Sequence, residues 1–175
     1  ALMNEQEARA LTVEYTQKSD NAFHAIFDNT YDMRDDYTQV QIDLINTNPE
    51  LMGKDWDFTI DAEGELLVVE GEDKLSEKEI KQITDILEDN NMDDYMSGLA
   101  NAVVERGVGS RGPEQYQTDE GIGLYDVTRD TMPDILRGRE LMSDTKMRFV
   151  QTGTPEFLRA REAYDENRLS PFEAI

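Results

Sequence analysis

Four polar residues near the middle of the chain have types and spacing suited to binding a divalent cation. Asp89, Asn91, Asp93 and Asp94 lie in the stretch DNNMDD, and the first three occupy alternate positions. Ca²⁺ prefers oxygen ligands, and alternate positions of a tight loop direct three such oxygens inward. A high-affinity loop also needs glycine at its sixth position and glutamate at its twelfth, where Asp94 and Ala100 stand. The sequence predicts a weak Ca²⁺ site here, and the alternative is an acidic helix–helix turn.

A second stretch, from Thr59 to Glu70, also carries acids at calcium-loop spacing. Asp61, Glu63, Gly64 and Glu70 stand at the third, fifth, sixth and twelfth positions, and this stretch resembles an EF-hand loop. It departs from that pattern at the first position, where threonine replaces the essential aspartate. Its flanks also alternate like strands, so a plain β-hairpin is the preferred interpretation.

The residues needed for common catalytic mechanisms are sparse. The chain has no cysteine and a single histidine, His24, which lies beside core candidates. No serine lies in a nucleophile-elbow motif, and no glycine-rich motif followed by Lys and Ser or Thr is present to bind phosphate. We therefore expect a protein that is not an enzyme, with no cofactor apart from the Ca²⁺ considered above.

The charge is strongly negative and unevenly distributed. The 175 residues carry a formal net charge of −22, with 7 Lys/Arg against 26 Asp/Glu in residues 1–105 and 10 against 13 thereafter. Phosphate binding needs a basic face, so direct binding of nucleic acid is not expected. A basic protein partner fits the charge. So do mimicry of nucleic acid and adaptation to high salt.

The first 46 residues predict two helices. Asn4 to about Lys18 begins with a capping residue, and Ser19-Asp20-Asn21 then indicates a break. In residues 22–46 apolar side chains recur at alternating spacings of three and four: Phe23, Ile26, Thr30, Met33, Tyr37, Val40 and Leu44. This seam favours a helix packed on its own domain, with a homodimeric coiled coil as the alternative.

The middle of the chain predicts a β-hairpin followed by two helices. Trp56, Phe58 and Ile60 alternate as in a half-buried strand, and residues 66–69 return as a strand expected to be covered on both faces. Ser76 and Glu79 form a capping box that begins the next helix. The following helix is expected to end at glycine 107, a residue suited to the left-handed conformation that terminates helices.

The last third of the chain differs in composition. Residues 107–123 are rich in glycine and predict a loop or linker, and residues 124–175 predict helices, one of them from Pro133 to about Val150. Nine of the ten basic residues after residue 105 are arginines. Most of these arginines should be solvated or paired with acids, and some are expected to bind the acidic first part.

Together these patterns predict an α+β fold that is mostly a helical bundle, with one β-hairpin or small antiparallel sheet at about residues 55–70. The predicted division is an acidic core domain (1–106), a glycine-rich linker (107–123) and an arginine-containing helical segment (124–175). No apolar run is long enough to span a membrane. A helix-start signature at Ser170 and Pro171, close to the last residue, suggests a fragment of a longer protein. The function expected is a non-catalytic acidic interaction or assembly domain.

Overall fold

The structure is a computed structural model that describes residues 4–111 and 128–142, with only the backbone described at residues 107–111 and 135. It is α+β and mostly helical. The elements in chain order are α1 (Glu5–Thr47), a 3₁₀ turn (Pro49–Met52), β1 (Trp56–Ile60), β2 (Leu66–Glu70), α2 (Glu77–Asp89), α3 (Met92–Arg111), a second 3₁₀ turn (Arg129–Thr131), α4 (Met132–Ile135) and α5 (Gly138–Met142).

Helix α1 is continuous for 43 residues, so the predicted break at Ser19-Asp20-Asn21 is wrong. Asn4 begins the helix with a capping box, in which its side chain and that of Glu7 bond each other's backbone N–H groups. Ser19 is buried, and its carbonyl accepts a hydrogen bond of 3.4 Å from Arg106 of α3. Because α3 packs over this point, tertiary contact carries the helix through a locally unfavourable sequence.

The predicted seam of α1 is buried within the chain itself. Its core positions are Ala22, Ile26, Thr30, Met33, Val40 and Leu44. Helix α3 packs along this face of α1, which makes residues 22–46 a bundle helix as expected. The chain's own side chains fill this seam. The homodimer through residues 22–46, the alternative drawn from the sequence, stays a prediction.

Strands β1 and β2 form the predicted hairpin, an antiparallel pair from Trp56 opposite Glu70 to Ile60 opposite Leu66. Gly64 has φ of 85° at the turn, a conformation that glycine adopts without strain. Burial of Trp56 to 3% exposure confirms it as a core anchor. The expectation that residues 66–69 are covered on both faces is wrong, because Leu67 in β2 is 40% exposed.

Helix α2 begins at the predicted capping box, in which Ser76 and Glu79 bond each other's backbone N–H groups at 3.1 and 3.0 Å. Helix α3 continues to Arg111, past the end expected at glycine 107. Helical hydrogen bonding here overrides the weak helix propensity of glycine. The predicted linker therefore begins with helical residues, and its remainder from residue 112 lies outside the described residues.

Residues 128–142 pack on the hairpin and on α1 and α3. The single helix predicted from Pro133 is instead divided into α4 and α5, and residues 143–150 of that prediction lie outside the described residues. The division occurs at Leu136, which is extended (φ −106°, ψ 119°) and buried. Extension at this residue places its side chain in the core and brings Gly138 against the ring of Phe58.

Candidate functional site

The residues predicted to bind Ca²⁺ are divided among two helices and the two-residue connection between them. Asp89 ends α2, Asn91 lies in the connection with φ of 61°, and Asp93 and Asp94 lie in the first turn of α3. A calcium loop supplies its ligands from one continuous turn, so this arrangement differs from that geometry. Two acids in the first turn of α3 favour the helix because its N-terminus carries partial positive charge.

Among residues 4–111 and 128–142, no group of three or more histidine or carboxylate side chains is placed to hold a metal ion. Ca²⁺ binding by Asp89, Asn91, Asp93 and Asp94 stays a prediction. The other calcium-like stretch is a hairpin turn, as preferred from the sequence. In that turn one oxygen of Asp61 already accepts hydrogen bonds from the N–H groups of Glu63 and Glu65, at 3.0 and 2.8 Å.

Two side-chain contacts join the α2–α3 connection to the acidic middle of α1. Asn90 donates to the carboxylate of Asp43 at 3.0 Å, and Gln39 donates to the other oxygen at 2.8 Å. These two hydrogen bonds lower the pKa of Asp43. Tyr95 of α3 donates to Asp36, and this hydrogen bond raises the pKa of Tyr95 to about 12. Asn90 of the connection and Tyr95 of α3 therefore both bind acids in the middle of α1.

The part of α1 that faces away from the core carries two rows of exposed residues. Asp28, Asp32 and Asp36 are exposed and recur every four residues, which places them on one side of the helix. Three large apolar side chains of α1 are exposed as well, and their exposed fractions are 50% for Tyr31, 45% for Ile42 and 53% for Ile45. We call these six residues the outer face of α1.

A cavity of about 390 Å³ lies between α1, the first 3₁₀ turn and α5. Its lining consists of Arg34, Tyr37, Thr38, Gln41, Met52, Arg139 and Met142. Hydrogen-bond donors and two methionine side chains thus line the same cavity. Among the described residues no carboxylate is part of this lining, although 39 of the 175 residues are acidic.

Arg139 is the side chain that joins α5 to the rest of the fold. Its guanidinium donates to the carbonyls of Met52, Lys54 and Trp56, at 3.4, 3.2 and 2.8 Å. The same group lies 4.1 Å from the centre of the Trp56 ring, a cation–π contact. An arginine of the last third therefore binds the first part, as expected, although its partners are carbonyls and an aromatic ring.

Asp57 and Tyr37 are partly buried beneath this contact. The carboxylate of Asp57 accepts hydrogen bonds from the N–H groups of Arg139 and Glu140, at 2.7 and 3.0 Å. Asp57 of strand β1 therefore caps helix α5. Burial raises the pKa of Asp57, while these backbone donors and that of Phe58 oppose the rise. Burial also raises the pKa of Tyr37 to about 12, although the nearby charge of Arg139 and its hydrogen bond to the phenol act in the opposite direction.

Sequence reasoning did not find the cavity or the role of Arg139. Arg34 was one weak indication of the cavity in the sequence, because it is the only Lys or Arg between Lys18 and Lys54. The contact of Arg139 with Trp56 joins residues 83 positions apart, and no local pattern reports such a pairing. His24, in contrast, is exposed on α1, although its neighbours in the sequence are core candidates.

No family model matches the chain, and comparisons with curated proteins and with solved structures found no match. In residues 4–111 and 128–142, none of the helices has the length and apolarity needed to cross a membrane.

Proposed function

We propose that this chain is a non-catalytic interaction domain that binds a basic, amphipathic segment of another protein along the outer face of α1. The observation that carries the proposal is the row formed by Asp28, Asp32 and Asp36. Like charges four residues apart destabilise a helix, and aspartate is also a poor helix former. Such a row destabilises the isolated helix, and only at Asp36 is this cost offset in part, by the hydrogen bond from Tyr95. A bound cationic segment would relieve their repulsion.

The apolar row defines the partner further. Tyr31, Ile42 and Ile45 are among the large apolar side chains that stay exposed, and they lie on the same helix as the aspartates. A partner that covers both rows needs apolar side chains on one face and lysine or arginine along its edge. An amphipathic helix laid along a helical surface presents this combination at spacings of three and four residues.

The net charge of the protein also affects how such a partner would reach it in solution. The formal net charge of −22 creates a negative field around the molecule, and such a field attracts a basic segment from solution. Apolar contacts with the outer face would then hold the segment in register. Ca²⁺ binding and mimicry of nucleic acid, the other functions predicted from the sequence, stay predictions without a specific contact in their favour.

The test compares two triple variants that remove the same charge at different places. The probe is a synthetic amphipathic peptide of leucine and lysine, and its affinity is measured by calorimetry at about 0.15 M salt. The variant Asp28→Asn, Asp32→Asn, Asp36→Asn should bind roughly tenfold more weakly, from the sum of three exposed ion pairs. The control Glu63→Gln, Glu65→Gln, Glu70→Gln alters exposed acids of the hairpin and should bind nearly as tightly as the unaltered protein.

A second pair of variants tests the apolar row. Ile42→Ser and Ile45→Ser remove exposed side chains, so they should lower the affinity for the peptide without lowering the free energy of unfolding. If the hairpin control lowers the affinity for the peptide as much as the α1 variant does, the binding is a general charge effect and the proposal fails. It also fails if the two serine variants bind as tightly as the unaltered protein.

A further inference from the structure

We propose that the cavity between α1, the first 3₁₀ turn and α5 binds a small organic monocarboxylate with an apolar body. None of the six residues of the outer face lines this cavity. The inference therefore does not depend on the proposed partner. Its volume of about 390 Å³ falls within the range of pockets that take small molecules.

Arg139 supplies the charge. Its guanidinium is fixed by three backbone carbonyls and by the Trp56 ring, none of which carries a formal charge. Among the described residues, no carboxylate lies within ion-pair distance of this guanidinium. A cation that is held rigidly and is not neutralised by an acid is prepared to bind an anion, because little side-chain entropy remains to be lost.

The other lining residues provide further donors and an apolar wall. The Tyr37 hydroxyl is hydrogen-bonded to Arg139, and Thr38 and Gln41 follow it on the same helix. A hydroxyl and an amide there can donate to a second carboxylate oxygen. Met52 and Met142 line the same cavity, and their flexible thioether side chains adapt to apolar groups of varied shape.

The charge of the whole chain limits the ligand to a single negative charge. With a formal net charge of −22, every additional negative charge on a ligand is repelled by the protein's field. Arg139 compensates for one such charge at short range, where screening by salt is weakest. A dianion such as phosphate would be repelled more strongly by this field, so we expect a monocarboxylate.

The probe is phenylacetate, and phenylacetamide serves as its neutral counterpart of nearly the same shape. Trp56 is the only tryptophan, and Arg139 lies on its ring, so intrinsic fluorescence reports on this site directly. Phenylacetate should change the fluorescence saturably, whereas phenylacetamide should produce at most a small linear change. An equal response to both compounds would overturn the proposal, because the guanidinium would then have no part in binding.

Variants locate the binding and separate it from folding. Gln41→Met alters the cavity lining and should lower the affinity for phenylacetate several-fold. Gln39→Met, elsewhere on α1, should leave that affinity unchanged. Arg139→Met should abolish binding, and its thermal unfolding is measured in parallel because Arg139 also holds α5. Since Gln41 makes no such contact with α5, its variant tests the site even if Arg139→Met loosens the fold. Equal affinities for the two glutamine variants would exclude this cavity.

Discussion

Gly138 illustrates how a single residue determines whether α5 packs on the hairpin. A Cβ atom at this position would lie 2.3 Å from Cζ of Phe58, and Phe58 is fully buried. The ring has no free volume into which to move. The absence of a side chain at Gly138 is therefore a condition for the contacts of the adjacent Arg139, which reaches the Trp56 ring and three carbonyls.

We expect Gly138→Ala to lower the free energy of unfolding by about 1–3 kcal/mol, the usual cost of overpacking a core. Trp56 fluorescence should change as well, because displacement of α5 moves Arg139 from the indole. Gly53→Ala is the matched control, since its Cβ would meet nothing closer than the Glu50 carbonyl oxygen at 3.9 Å. Urea denaturation measures both variants. Equal stability of the two would show that Phe58 is able to move.

Local signals in the sequence predicted the helix starts and the hairpin well. The capping box at Ser76 and Glu79 and the turn at Gly64 depend on residues a few positions apart, and both are confirmed. Burial of Ser19 by α3, the extended conformation of Leu136 and the contact of Arg139 with Trp56 depend on residues far away in the chain. No local pattern reports those contacts, so the continuity of α1, the division of α4 from α5 and the cavity were not predicted.

Helix α5 is short, and its capping group belongs to a different element. Asp57 of β1 accepts the N–H groups of Arg139 and Glu140, the second and third residues of α5. The hydrogen bonds favour the carboxylate, whereas burial favours the neutral acid and is the larger influence on the pKa. The pKa of Asp57 is consequently raised above its ordinary value of 3.8.

This raised pKa predicts a particular pH dependence. An acid whose pKa is higher in the folded state binds more protons there, so its contribution to stability grows as pH falls through the folded pKa and is complete below about 3.8. Asp57→Asn cannot titrate. The free energy of unfolding of the unaltered protein, relative to this variant, should therefore increase as pH is lowered from about 7 to about 4. A difference that shrinks over this range would mean that the backbone donors outweigh burial.

The whole molecule carries far more negative charge than solubility requires. The chain has 39 acidic residues and only 17 basic residues, so repulsion among the excess negative charges opposes the compact state. Salt screens this repulsion. The row of aspartates on α1 concentrates part of that repulsion on one surface. Stability should therefore depend on ionic strength even where no specific ion is bound.

We expect the melting temperature to rise as KCl is increased from low to molar concentration. CaCl₂ at matched ionic strength should raise it by a similar amount if Ca²⁺ acts only through screening. A larger rise with CaCl₂ that disappears in Asp89→Asn, Asp93→Asn would instead establish the calcium site predicted from the sequence. A melting temperature independent of KCl would contradict the importance of self-repulsion. Differential scanning calorimetry measures all of these changes.

The separation of α1 from α3 along the chain has a consequence for biosynthesis. Helix α1 is translated first, and 44 residues separate its last residue from the first residue of α3, which covers its apolar seam. At about 5–20 residues per second, that interval takes roughly 2–9 s, and the rest of α3 takes longer. During this time the nascent chain exposes Ile26, Met33, Val40 and Leu44 to solvent or to chaperones. The acids on the opposite side of the same helix then keep the nascent chains apart by mutual repulsion.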